Sequence, residues 1–249
     1  MKALILRWYS IPLLLIIWQV SVSTRLLNSR LLPGLGDVGT ALASELADGQ
    51  LIYHAGITIS RALLGFALAA IVGVPVAALM ARSTPFRNLF EPIFLFGYPV
   101  PKIALFPVFT YIFGLGTGSK IAFTFLECLF PIVISSQHGF RAIPRQLMWA
   151  ARNMGADRRT VLLRVLLPAA LPGIFAGLRI ALPISIVVVV LTEMIGDSVG
   201  LGYYVTIWST RFNFSNVYAA IMVIATVGLI LDQLLLRARR AALPWEPGP

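Results

Sequence analysis

The ionisable residues of this sequence stand in apolar company. Arg61, Glu127, Arg179, Glu193 and Asp232 each lie within, or near the end of, an apolar stretch of membrane-crossing length. A charge at the middle of a bilayer costs at least about 2.5 to 3.5 kcal/mol on insertion scales, so each needs a partner, an aqueous neighbour or a route to the interface. Arg61 and Glu193 are placed to snorkel to the outer interface, and Arg179 and Asp232 to the inner one. Glu127 is the deepest acid and is expected to face protein or water, with protonation open to it. Lys102 stands in EPIFLFGYPVPKIALFPVFTYIFG, among Pro92, Gly97, Pro99, Pro101 and Pro107. A helix interrupted so often frees backbone groups that lipid cannot satisfy, which predicts a segment buried in protein or lining a polar path. Pro99, Pro101, Lys102, Glu127 and Glu193 are therefore the candidate pathway residues. Lys102 has two roles open to it: attracting an anion in the path, or bonding a carbonyl freed by Pro99, Pro101 or Pro107. Either is non-covalent handling of charge.

Bond-making chemistry finds no support. The sequence contains no G-x-x-x-x-G-K-[ST], and GLGTGSK has the wrong glycine-to-lysine spacing, so no P-loop for ATP is expected in this chain. The glycines from Gly114 to Gly118 read as a turn between spans, not a dinucleotide fingerprint. His54 and His138 are far apart and lack ligand-type partners at i+3 or i+4, and the serines form no arrangement with a histidine and a carboxylate. Neither a metal site nor a bound cofactor is expected. The single cysteine, Cys128, lies in an apolar stretch and reads as an inert buried thiol.

Composition sets the frame for these residues. The chain has 249 residues, 58% of them hydrophobic and only 12% charged, and a mean hydropathy of +0.86. That argues for a membrane protein. The net charge of +10 is dispersed among hydrophobic spans and forms no aromatic-interleaved face, so nucleic acid is excluded as a partner. Six segments approach the roughly 20 apolar residues needed to cross a bilayer as a helix: approximately 8–24, 56–81, 91–113, 120–137, 172–195 and 216–236. The first has the basic and apolar parts of a signal peptide without a small-residue cleavage site, and is expected to be retained. The predicted fold is all-α and polytopic, one transmembrane domain over 1–249. Lys2, Arg7, Arg82, Arg87, the arginines of the central loop, Arg237, Arg239 and Arg240 fall on one side of this arrangement, against Arg25, Arg30, Lys120 and Arg211 on the other. The positive-inside rule then puts both termini and the central loop in the cytoplasm.

That loop, about 138–171, is a polar island. Arg141, Arg145, Arg152, Arg158, Arg159 and Arg164 fall in FRAIPRQLMWAARNMGADRRTVLLRVLLPAALP. Pro144 is suited to open a short helix in which Leu147, Ala151 and Met154 share a face. Gly155 suits the left-handed residue that closes it, and Asp157 the N-cap of the next. Leu162, Val165 and Leu166 give the second helix an apolar stripe, and Pro168 is expected to end it.

Ala150, Ala151, Gly155 and the Val165, Leu167, Pro168 ending resemble the EAA signature of importer-type ABC transporter permeases. Trp149 stands where that signature opens with glutamate. LLPGLGDVGTAL resembles the Leu-Pro turn and short outer helix of the same family. TISRALLGF, GLRIA, the Glu-Met pair and the Gly-Leu-Gly that follows resemble its nitrate, sulfonate and taurine branch. The resemblance covers about Leu32 to Arg239. It implies a homodimeric permease in the bacterial inner membrane, two cytoplasmic ATPase subunits carrying ATP and Mg, and an extracytoplasmic binding protein. It also implies that Leu147, Trp149, Ala150, Ala151, Arg152, Met154, Gly155 and Pro168 belong to the segment that couples to the ATPase. The alternative in another class is a secondary transporter driven by an ion gradient, with Glu127 and Glu193 as proton relays.

Overall fold

The computed structural model describes residues 10–24 and 31–245. Lys2, Arg7, Arg25 and Arg30, which entered the orientation argument, lie outside the described residues. All regular structure among the described residues is helical: α1 (Ser10–Ser23), α2 (Leu35–Ala47), α3 (Gln50–Arg82), α4 (Thr84–Gly97), a 3-10 turn (Lys102–Leu105), α5 (Phe106–Phe113), α6 (Thr117–Arg141), α7 (Arg145–Asn153), α8 (Arg158–Met194), α9 (Leu201–Thr210) and α10 (Phe214–Ala242).

Among the described residues, α3, α6, α8 and α10 are the four helices long and apolar enough to cross a membrane. The count becomes up to five if the bent pair Thr84–Gly97 and Lys102–Phe113 is one span. Six spans are predicted, so two differ. The third predicted span is broken by 97°, because Pro99 and Pro101 remove helical donors. The described part of the first, α1, has 14 residues, short of the roughly 20 that a helical crossing takes.

The chain forms two compact units, one from Met1–Ile57 with Glu193–Thr226, the other from Thr58–Thr192 with Val227–Pro249. In the first, the Pro-Gly turn before α2 is stitched to α1. Trp18 Nε1 donates to the Pro33 carbonyl at 2.9 Å, and Leu35 N–H donates to Gln19 Oε1 at 3.1 Å. The Asp37 carboxylate reaches back to accept from Gly34 N–H at 3.2 Å, so an acid occupies the positive end of the α2 dipole. Leu51, Ala55, Leu201, Tyr204 and Ala220 make the apolar core of this unit. Asn216 Nδ2 ties α10 to α2 through Glu45 Oε1 at 2.9 Å.

In the second unit α6 is the hub. Small residues let other helices approach it closely, which is how helices associate where lipid gives no hydrophobic drive. A Cβ added to Gly139 of α6 would lie 2.9 Å from the Gly173 Cα of α8, so these helices touch backbone to backbone. On α3, Ala69 and Ala77 are completely buried. The Ala77 side packs with Met80, Phe94, Phe130, Val133 and Ile174. Cys128 is buried and its thiol donates to the Ala181 carbonyl at 3.4 Å.

Pro168 does not end a helix. The chain runs from Arg158 through a π-helical turn, Val161–Leu166, directly into the membrane part of α8. Leu167 N–H donates to the Leu162 carbonyl, five residues back. This wider turn opens space ahead of the proline ring and accommodates its missing N–H, which a regular α-helix would not.

Candidate functional site

The break between α4 and α5 lies in the second unit and is closed by a side chain that follows it. In an unbroken helix the Gly97 carbonyl would accept from the N–H of residue 101, which is proline and has none. Lys102 turns back over the gap. Its Nζ donates to the carbonyls of Gly97, Tyr98 and Val100 at 3.4, 3.3 and 3.4 Å. It lies 3.5 Å from Glu127 Oε2 and 4.6 Å from the centre of the Phe130 ring. The ammonium is thus surrounded by carbonyls, one carboxylate and a π face, and Lys102 is only 8% exposed. Phe130 is itself held edge-on by Phe94. Lys102 and Glu127, with Pro101, line a cleft of about 420 Å³ whose far wall is Ile184, Val188 and Leu191 of α8. Of the candidate pathway residues, Pro101, Lys102 and Glu127 are brought together, and Pro99 lies in the same break. The carbonyl role open to Lys102 is present, and Glu127 faces the Lys102 ammonium.

Glu193 belongs to the other unit. Its carboxylate is 1% exposed and accepts from Gly202 N–H at 3.0 Å, in the first turn of α9. It meets donors and a dipole that helix starts leave unsatisfied. The expectation that Glu193 snorkels to the interface is corrected. Arg61 is corrected likewise: it is 3% exposed, and its Nε and Nη2 donate to Thr117 Oγ1 at 3.2 and 3.0 Å. Arg179 Nε and Asp232 Oδ1 meet at 3.3 Å across α8 and α10, so one pair answers both charges. Sequence reasoning missed Glu91, which accepts from Arg141 Nη1 at 3.2 Å and from Gln137 Nε2 at 3.5 Å. Opposite charge was the only signal for that pair, and 50 residues separate its members.

The polar island folds as a short helix and its stop. Pro144 is the N-cap residue of α7. At the other end Gly155 has φ 81°, Gly155 N–H donates to the Arg152 carbonyl at 2.9 Å, and Ala156 N–H donates to the Ala151 carbonyl at 3.0 Å. Those two bonds make a complete Schellman stop, which needs a left-handed residue at the glycine. Of the coupling residues, Ala151 is buried, whereas Leu147, Trp149 and Met154 are 47, 59 and 81% exposed. Ala150 and Arg152 are also exposed, and Pro168 lies beyond the π turn. Within this chain, then, the Trp149 ring is not packed away. Asp157 caps the start of α8, its Oδ1 accepting from Thr160 N–H at 3.1 Å. Hydrogen bonding to Thr160 holds its carboxyl below the ordinary aspartate value.

Long apolar helices, a proline-broken segment closed by a largely buried lysine paired with a partly buried glutamate, and an exposed helix on a basic loop define a polytopic membrane permease. The sequence profile of the family "Binding-protein-dependent transport system inner membrane component" matches residues 69–240. The chain belongs to that family: it is the permease subunit of an ABC importer of the binding-protein-dependent type. The taurine transport system permease protein TauC of Escherichia coli (strain K12) is 31% identical over 242 residues, which cover 95% of this chain and 88% of that protein. The putative aliphatic sulfonates transport permease protein SsuC of Bacillus subtilis (strain 168) is 31% identical over 231 residues, 92% and 83% of the two chains. A chain in a solved inward-facing structure of the MetNI methionine ABC transporter superposes with a TM-score of 0.70 at 19% identity, covering 80% of this chain and 98% of that one. That likeness concerns the fold. Family membership sets aside the gradient-driven alternative.

Proposed function

We propose that two copies of this chain form the path by which an ATP-driven importer moves a small anionic or polar organic solute of the sulfonate, nitrate or taurine kind. An extracytoplasmic binding protein delivers the solute. Two cytoplasmic ATPase subunits, carrying ATP and Mg, dock on α7 of each copy. Closing of the ATPases draws the two α7 helices together and turns the spans from inward-open to outward-open. The permease makes and breaks no covalent bond.

The observation that carries this reading is α7 itself. A short helix that exposes Leu147 and Trp149, with Met154 exposed at its cap, ends in a Schellman stop, and exposed apolar side chains on such a helix suit a groove in a partner. Both termini and the central loop are assigned to the cytoplasm on the distribution of arginine and lysine. The path is assigned to the break at Pro99, Pro101 and Lys102 with Glu127; Glu193, in the other unit, is the acid at the start of α9. Purification of the tagged chain in mild detergent, followed by native mass spectrometry, is the test. Two permease copies with two ATPase subunits are expected, and a chain that never retains an ATPase would refute the assignment. Uptake of taurine and of alkanesulfonates by the complex, reconstituted with its binding protein, tests the solute class.

A further inference from the structure

Four arginines converge on a cavity of about 330 Å³ in the second unit: Arg82 from the end of α3, Arg145 and Arg152 from α7, and Arg158 from the start of α8. No acidic residue lines it, and none of the four is ion-paired among the described residues. The remaining wall is largely apolar, Ile143 and Leu162 included. Four like charges gathered without a counter-charge repel one another, and an anion at their centre removes that cost. All four are arginine, whose planar fork bonds phosphate oxygens in pairs where lysine acts as a point charge.

We propose that this cavity binds a phosphate group carried on an amphiphile, with its oxygens among the guanidinium groups and its apolar part against the wall. Its position suits that ligand. Ala78 and Ala81, inside the predicted span 56–81, line the cavity beside Arg82 at the end of α3, which sets it next to the end of a membrane span, where basic pockets between helices take lipid head groups. The site is separate from the outward face of α7. Arg145, Met148 and Arg152 recur at steps of three and four and face the cavity, whereas Leu147 and Met154 lie on another side of the helix. A bound phosphate therefore cross-links α7 to the ends of α3 and α8 while leaving Leu147 clear, with Trp149, about 40° around the helix from Arg145, at the edge of the site. The inference is independent of which solute is carried.

The full chain, reconstituted in nanodiscs of phosphatidylcholine with or without phosphatidylglycerol, provides the test by native mass spectrometry of retained lipid. A parallel arm follows thermal unfolding in detergent against inorganic phosphate. Arg82→Gln with Arg158→Gln is expected to weaken apparent affinity about tenfold or more, since each lost charged hydrogen bond is worth roughly a factor of ten. Arg240→Gln, an equal loss of charge outside the cavity, is expected to change nothing. Should the double glutamine variant fail to fold, Arg82→Lys with Arg158→Lys keeps the charge and loses the fork, and an intermediate affinity is expected. Selective retention of phosphatidylglycerol identifies a lipid source, and a saturable phosphate response without lipid selectivity identifies a soluble phosphate ester; both support the site. Equal behaviour of wild type and double variant in both arms overturns it. Loss of both responses when the ATPase subunit is added also overturns it, because the cavity would then be covered by protein.

Discussion

Lys102 Nζ lies 3.5 Å from Glu127 Oε2, and the same ammonium bonds the carbonyls on the open side of the Pro99–Pro101 break. Lys102→Met therefore removes two things at once. It leaves a carboxylate unpaired at a position only 16% exposed, a loss that typically costs about 3 to 5 kcal/mol. Thermal unfolding in detergent is expected to show that drop, and Lys102→Met with Glu127→Gln to recover part of it. If the double variant is no more stable than the single one, the pair does not hold the break.

Gly139 and Gly173 form the closest approach between α6 and α8. Gly139→Ala puts a methyl group into backbone and is expected to cost about 1 to 3 kcal/mol, the usual range for overpacking. Gly139→Leu is expected to abolish assembly of the bundle. Yield of monodisperse protein in detergent is the readout, and wild-type yield for the leucine variant would show that the helices can separate freely.

A Cβ at Gly155 meets no atom within 4 Å, so any effect of substitution there is conformational or electrostatic. Gly155→Asn tolerates the left-handed region and is expected to couple almost normally. Gly155→Ala faces a cost of about 1 to 2 kcal/mol in that region, and Gly155→Asp adds a charge to the surface proposed to dock. Membrane insertion is expected to be intact in all three, with transport falling from asparagine to alanine to aspartate. Normal transport by a well-expressed aspartate variant would remove α7 from coupling.

Trp149 is exposed on α7, the helix proposed to dock on the ATPase, so its ring is open to a partner. A large aromatic supplies contact area where an ion pair is lost. Trp149→Ala is expected to release the ATPase subunit more readily than Trp149→Glu does. Equal recovery of ATPase with both variants would mean that the ring remains in solvent.

At Asp157 the folded carboxyl titrates below the ordinary value of 3.8 because Thr160 bonds the charged form. In acid the unfolded segment then binds more protons than the folded one, so stability rises with pH there. The cap contributes fully above the unfolded value and is lost as pH falls through the folded one. Amide exchange over 158–161 is expected to quicken as pH falls below about 4 relative to Asp157→Asn, which caps without titrating. Parallel behaviour of the two chains would show that the carboxylate does not hold this turn.

Local signals in the sequence carried far. Proline at 144, glycine at 155 and aspartate at 157 specify a start, a stop and a cap through their own backbone chemistry, and the structure has all three. Hydropathy located the long helices for the same reason: burial in lipid is a property of the segment itself. Partners were another matter. Nothing near Arg179 announces Asp232, 53 residues away, and nothing near Glu193 announces the amide of Gly202. Snorkelling was the natural reading for a charge considered alone; burial with tertiary partners displaced it for Arg61 and Glu193, while Arg179 and Asp232 meet each other and stay partly exposed. Pro168 misled because its effect depends on whether the preceding turn can widen, which its neighbours decide.

The π turn at Val161–Leu166 also fixes a phase. One residue more than a regular helical turn is spent there, and one residue of an α-helix corresponds to about 100° of rotation. The wide turn takes up that residue instead of passing it on as rotation, so deleting one residue from 161–166 would let a regular turn close over nearly the same angle, leaving Arg158 on the same side relative to the Gly139–Gly173 contact while Pro168 lost the space ahead of its ring. Orientation of the basic loop is thus buffered against a residue gained or lost at this one place, where the helix can widen or tighten.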